Sequence, residues 1–161
     1  MAKEDQDARA ALTGMSMEDQ LRNQAPIDRV VSVDRTNTQR LQAIVATHGW
    51  PKVSMVGEDG AHAAWLLAQH ADANKEFQTQ ALALMEMLLP VQEVRASEVA
   101  YLRDRVKQPQ RYGTQGRCVG PGKWEPNELE QPARVNQLRE EAGIQPAKLS
   151  DYIELMNPLC K

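Results

Sequence analysis

The chain has 161 residues, 42% of them hydrophobic but only 4% aromatic, with 19 basic and 22 acidic side chains and a net charge of −3. That length supports one domain with a core of its own, filled by Leu, Val, Ala and Met rather than by rings. Mixed charge leaves no basic stripe for a phosphate backbone, which argues against nucleic-acid binding, and no apolar run reaches the ~18–20 residues of a membrane span.

The composition favours helices, because Ala, Leu, Met, Glu and Gln lose little side-chain freedom there. The expected fold class is mainly α: a compact multi-helix single domain over residues 1–161, with a short irregular β-hairpin or ordered loop near residues 110–126. Its core spans 27–142, preceded by a polar helix at 3–24 and followed by a C-terminal helix at 148–157.

The N-terminal stretch MAKEDQDARAALTG has no apolar signal core. It reads as a cytoplasmic start, or as a chain whose export signal has been removed. Its helix has few anchors (Leu12, Met15, Met17, Leu21), a potential break at Gly14 and a cap at Ser16, and its acidic surface reads as a solvated face. Ala25-Pro26 ends this stretch. The next helix occupies about 27–48, with Val30, Val33, Asn37, Leu41, Ile44 and Val45 on or near one face. His48-Gly49 closes it, and Trp50-Pro51 forms an extended turn.

Val53–Gly57 reads as a connector to a helix over Glu58–Asp72, whose stripe carries His62, Trp65, Leu66 and Gln69. A further helix from about Ala73 to Leu89 buries Phe77, Leu82 and Met85 before Pro90 stops it. Another runs from Ser97 to about Lys107. Residues 110–126 hold four of the nine glycines, and Arg111–Cys118 and Lys123–Trp124 are candidate strands. A short helix opens at Pro132 and is capped by Gly143; the last helix packs through Leu149, Tyr152 and Leu155.

Cys118 and Cys160 form no CxxC pair. A bond between them would close a loop worth roughly 4 kcal/mol in chain entropy and would place the protein in an oxidising compartment such as the bacterial periplasm. Two separate thiols would suit a reducing cytoplasm, and the spacing leaves both possibilities open.

The segments VDRTNTQRLQAIVATHGWP, VGEDGAHAAWLLAQHAD, FQTQALALM, AYLRDRV and RYGTQ, in that order, resemble an uncharacterised bacterial domain family of unknown function. The resemblance covers about residues 30–116, with an echo in VNQLREEAGIQP. It implies a shared set of polar positions rather than a reaction: Asp34, Asn37, His48, Trp50, Gln69, His70, Asp72, Asp104, Tyr112, Thr114 and Gln115. The segment after Gln115, with Cys118, departs from the family pattern.

From that set, His48 and His70 are the candidates for proton transfer, each at or near a helix end. The plainer alternative for each is a bond to helix-end carbonyls. Trp50, Gln69, Asp72, Tyr112, Thr114 and Gln115 complete a candidate ligand-binding set. Asp72 reads more simply as the cap of the next helix, and Asp104, between Arg103 and Arg105, as an ion-paired helix position. His48, His70 and Asp72 lack HExxH spacing, so no metal is expected, and no cofactor. No GxSxG elbow or phosphate loop is present in the sequence.

The leading expectation is a binding or interaction protein that recognises a polar ligand or a protein partner. One version is an exported bacterial inhibitor or immunity-type protein that covers the cleft of a toxin or effector. The alternative is a small enzyme with a His48/His70 acid–base pair and with Tyr112 and Gln115 holding substrate. Both require the two histidines and the 112–115 bend to meet at one hollow.

Overall fold

The computed structural model describes residues 1–12, 15, 19 and 22–160. The fold is mainly α, with one small antiparallel hairpin, and the chain divides into two compact units, Met1–Leu88 and Leu89–Lys161. The sequence expectations at Gly14, Ser16, Met17 and Leu21 lie outside the described residues.

The first unit contains α1 (Ala2–Ala10), α2 (Ala25–His48), α3 (Val53–Gln69) and α4 (Lys75–Leu88). Pro26 stands in the first turn of α2, where its missing N–H costs nothing. Gly49, at φ 76°, ends α2, a conformation that side chains with a Cβ resist. Gly57 interrupts α3 with non-helical φ 73° and ψ 171°, so the expected connector is a helical turn set off from the main helix. That helix stops at Gln69, three residues short of the expected Asp72.

α1 packs against α2 and α3, and α4 packs against α3. The buried side chains are mostly small or aliphatic: Ala8, Leu41, Ala61, Ala64, Leu67, Ala68, Ala81, Leu82 and Met85, with Phe77 and Trp50. The alanines let helix axes approach closely, which explains how so few rings fill the unit. Asn74, rather than Asp72, caps α4: its Oδ1 accepts the Phe77 N–H at 3.0 Å. Asp72 is half-exposed and pairs with Lys75 at 3.3 Å.

The second unit contains α5 (Ala96–Val106), β1 (Gly116–Gly120), β2 (Lys123–Pro126), α6 (Val135–Glu141) and α7 (Leu149–Met156). The hairpin pairs Gly116 with Pro126 and Cys118 with Trp124, starting five residues later than the sequence suggested. A Cβ on Gly116 would collide with the Glu125 carbonyl and the Trp124 ring, so glycine is required there. Trp124, Val135, Leu149, Tyr152 and Cys160 form one core cluster. Leu155, expected in that core, is exposed.

Cys118 and Cys160 are joined by a disulfide with Cα atoms 5.4 Å apart, fastening the last residues to β1. The Arg139 guanidinium is fully buried yet satisfied. It donates to the carbonyls of Tyr112, Pro146 and Ala147 at 2.8, 2.8 and 3.2 Å and lies 4.7 Å from the Tyr152 ring centre. Burial lowers its pKa from the ordinary arginine value, since the charged form loses water.

Candidate functional site

α1 was expected to be a solvated surface helix, but two of its residues enter the polar centre of the first unit. Asp5 and Ala8 are buried, three positions apart on one side of the helix, and Arg9 sits one turn beyond Asp5. Docking this face on α2 and α3 brings Asp5 and Arg9 against Asp34 of α2 and against His70, the residue that ends α3.

The contacts are short. Both oxygens of Asp5 lie 3.0 Å from Nδ1 of His70. Arg9 Nη2 donates to both oxygens of Asp34, at 2.7 and 2.8 Å. Arg9 Nε lies 3.4 Å from Asp5 Oδ1 and 3.0 Å from His70 Nδ1. Gln6 donates to the second Asp5 oxygen at 2.7 Å. Asp5 is 1% exposed, so its charge depends on these donors rather than on water.

Burial raises the Asp34 pKa above its ordinary 3.8, and the neighbouring Arg9 charge and hydrogen bond only partly oppose it. Asp34 and His70 also line a hollow of about 520 Å3, whose wall includes Arg35, Thr38, Gln42, Asp72 and Asn74. Thus the outer edge of the Asp–Arg–His network borders a space of ligand size.

The other expected site residues are placed differently. His48 is exposed and, with Trp50, lines a second, smaller hollow beside Met55 and Met87. His48 and His70 therefore do not share a hollow, so the expected meeting of the two histidines at one site is not found and the His48/His70 acid–base pair does not form. Trp50 is both core and wall: it is 3% exposed, and its Nε1 has no hydrogen-bond partner among the described residues. Gln69 is buried at the end of α3, and its backbone carbonyl accepts the Gln78 side chain at 3.1 Å. Asn37 is buried and reaches the Met1 carbonyl at 3.5 Å, which ties the start of α1 to α2.

Tyr112, Thr114 and Gln115 belong to the second unit, where Asp104 explains their arrangement. Asp104 is not a surface ion-paired position but fully buried. Its carboxylate accepts the backbone N–H groups of Arg111, Tyr112 and Thr114 at 2.8–3.1 Å and the Thr114 hydroxyl at 3.0 Å. Gln115 accepts from Arg105 at 2.9 Å and donates to Thr114 at 3.1 Å. The YLRDRV and YGTQ segments are thus two halves of one loop-holding device, with most of their polar groups already engaged.

The sequence profile of a family of unknown function, DUF6624, matches residues 1–159. The chain belongs to that family. No curated protein and no solved structure matches it. In this DUF6624 chain the matched region includes α1, which the shorter motif resemblance at 30–116 did not reach. Asp5 and Arg9 thus lie outside that resemblance, although their spacing of four, with Ala8 between them, is a usable helical signal.

Proposed function

We propose that the chain is a binding protein for a small polar ligand held in the hollow at His70. The observation that carries this reading is the meeting of a space of about 520 Å3 with an imidazole steadied from behind by a buried carboxylate. Ligand sites are typically roughly 300–1,000 Å3, with a few fixed polar groups on an otherwise apolar wall. Val31, Ala71 and Ala73 supply apolar wall here, and Arg35, Thr38, Gln42 and Asn74 supply hydrogen-bonding groups.

A ligand-detected NMR screen of small polar compounds tests the reading. Hits should bind wild type and be lost from Gln42→Trp, which fills the hollow, while its circular dichroism is unchanged. Hits that bind both proteins equally would place recognition elsewhere and sink the reading.

One observation favours a second reading, a small enzyme. Asp5 faces Nδ1 of His70 as an orienting carboxylate does in an acid–base dyad, which would leave Nε2 to exchange a proton with substrate. In this version His70 acts with Asp5 rather than with His48. It predicts that His70→Gln retains binding of a screened compound but loses its conversion.

The inhibitor or immunity-type version draws support from small size, acidic balance and the disulfide, which would suit the bacterial periplasm. A hollow of this volume fits a small molecule better than a protein surface, so we place that version behind the other two.

A further inference from the structure

We infer that Asp5, Asp34 and His70 form a binding site for a first-row divalent cation, with Arg9 as the built-in cation that the metal displaces. One ligand atom from each of the three residues lies within 4.8 Å of the others. They come from α1, from α2 and from the residue closing α3, so no local spacing reveals the set. The set His48, His70 and Asp72, which lacks metal-binding spacing, shares only His70 with it; the other two ligands come from α1 and α2.

Arg9 makes the case more than a pair of acids. Its guanidinium contacts all three groups: Nη2 holds Asp34 at 2.7 and 2.8 Å, and Nε approaches Asp5 at 3.4 Å and His70 at 3.0 Å. These contacts place competing demands on Nδ1 of His70. If Nδ1 carries a proton, it can donate to Asp5, but it then faces the N–H of Arg9. If Nδ1 carries a lone pair, it can accept from Arg9, but it then faces the Asp5 carboxylate at 3.0 Å. A doubly protonated ring keeps the first conflict and adds a second positive charge beside Arg9.

With Nδ1 protonated, the Arg9 Nε–H can turn to Asp5 Oδ1, at the longer 3.4 Å. A metal ion in place of Arg9 removes the competition, because a lone pair and two carboxylates then all face one cation. One imidazole nitrogen and two carboxylate oxygens suit Zn2+ or Mn2+ better than Mg2+ or Ca2+, which prefer all-oxygen shells. At metal–ligand distances of about 2.1 Å, two ligand atoms are at most about 4.2 Å apart, so modest side-chain rotation closes the set. The remaining coordination positions would be open to water or to an occupant of the adjoining hollow, which Asp34 and His70 line.

This inference is separate from the ligand reading, because it is tested with the metal alone. It also excludes the acid–base reading in the metal-bound state, since Nδ1 cannot both donate to Asp5 and ligate a cation. The test is isothermal titration of the oxidised full chain with Zn2+ and, separately, with Mn2+. Both cysteines are in the disulfide, so no thiol competes.

Wild type should bind one equivalent of at least one of the two ions. Arg9→Gln should bind it at least tenfold more tightly, because the competing guanidinium is gone. Asp34→Asn and His70→Gln should each lose at least tenfold, while His48→Gln should match wild type. Circular dichroism of each variant checks folding. Should Asp34→Asn or His70→Gln fail to fold, the Arg9→Gln comparison decides, with imidazole proton shifts of His70 on metal addition to wild type as the second readout. An unchanged or weaker affinity in folded Arg9→Gln, unmoved His70 signals at saturation, or no one-equivalent binding of either ion by wild type and Arg9→Gln would overturn the inference.

Discussion

The buried carboxylate of Asp5 holds both oxygens 3.0 Å from Nδ1 of His70, across a separation of 65 residues. This contact helps to fasten α1 to the rest of its unit, because α1 otherwise buries little beyond Ala8. Asp5→Asn keeps the shape and removes the charge, leaving Arg9 without part of its counter-charge. We expect a loss of about 1–3 kcal/mol in urea unfolding. An unchanged midpoint would mean that apolar contacts alone dock α1.

Asp104 is another buried carboxylate with several donors, and its role is to fold a loop. Asp104→Asn replaces one acceptor oxygen with an NH2 that faces N–H groups. We expect a cost of about 2–4 kcal/mol, since several buried donors lose a charged partner together. Amide hydrogen exchange checks the mechanism: Arg111, Tyr112 and Thr114 should lose protection ahead of the hairpin amides. Uniform loss across the second unit would assign Asp104 a global rather than a local role.

The raised pKa of Asp34 has a definite consequence for pH. Burial is the main cause, and the Arg9 charge and hydrogen bond oppose it. Between the unfolded value near 3.8 and the higher folded value, the native state binds more protons than the unfolded chain. Stability from this group therefore falls as pH rises through that window. Asp34→Asn removes this part of the slope. The difference in unfolding free energy between wild type and Asp34→Asn, measured from about pH 3 to pH 7, should shift against wild type as pH rises. A difference that moves the other way would mean that Arg9 outweighs burial.

The Cys118–Cys160 bond spans 42 positions. In the chain-entropy account, closing such a loop contributes about 4 kcal/mol. Cys118→Ala/Cys160→Ala should lower the unfolding free energy by that order. Thiol titration of denatured, unreduced wild type should find no free thiol. Equal stability with and without reductant would show that the tail is held by its apolar contacts, those of Leu149, Tyr152 and Trp124 among them.

Much of the helical framework was legible from local pattern. The period of Val30, Leu41 and Val45, the proline at 26 and the glycines at 49 and 143 placed their helix ends within a few residues of those found. The hairpin was legible as a glycine-rich irregularity, but its register was not. Gly116 had to meet Trp124 and Glu125 face to face, and only cross-strand sterics specify that. Asp72 read as the cap of α4, but that role falls to Asn74, whose oxygen reaches the Phe77 N–H.

The candidate site was legible only in part. His70 was a site candidate and Asp34 only one of the eleven polar motif positions, whereas Asp5 and Arg9 looked like ordinary charges on a polar helix. Their placement arises from packing: which face of α1 meets α2 and α3 buries Asp5 and brings Arg9 beside it. The motif at 112–115 looked like a recognition loop, yet its donors serve Asp104.

By itself the chain determined its helical class, most helix ends and the histidines worth testing, because these follow from spacing, caps and composition over a few turns. Only tertiary structure decided that Cys118 meets Cys160, that Asp104 closes the 111–114 loop, and that Asp5, Arg9, Asp34 and His70 share one centre. The physical reason is range: a helix forms from neighbours, but a charge acquires its role from whatever group packing brings within about 3 Å.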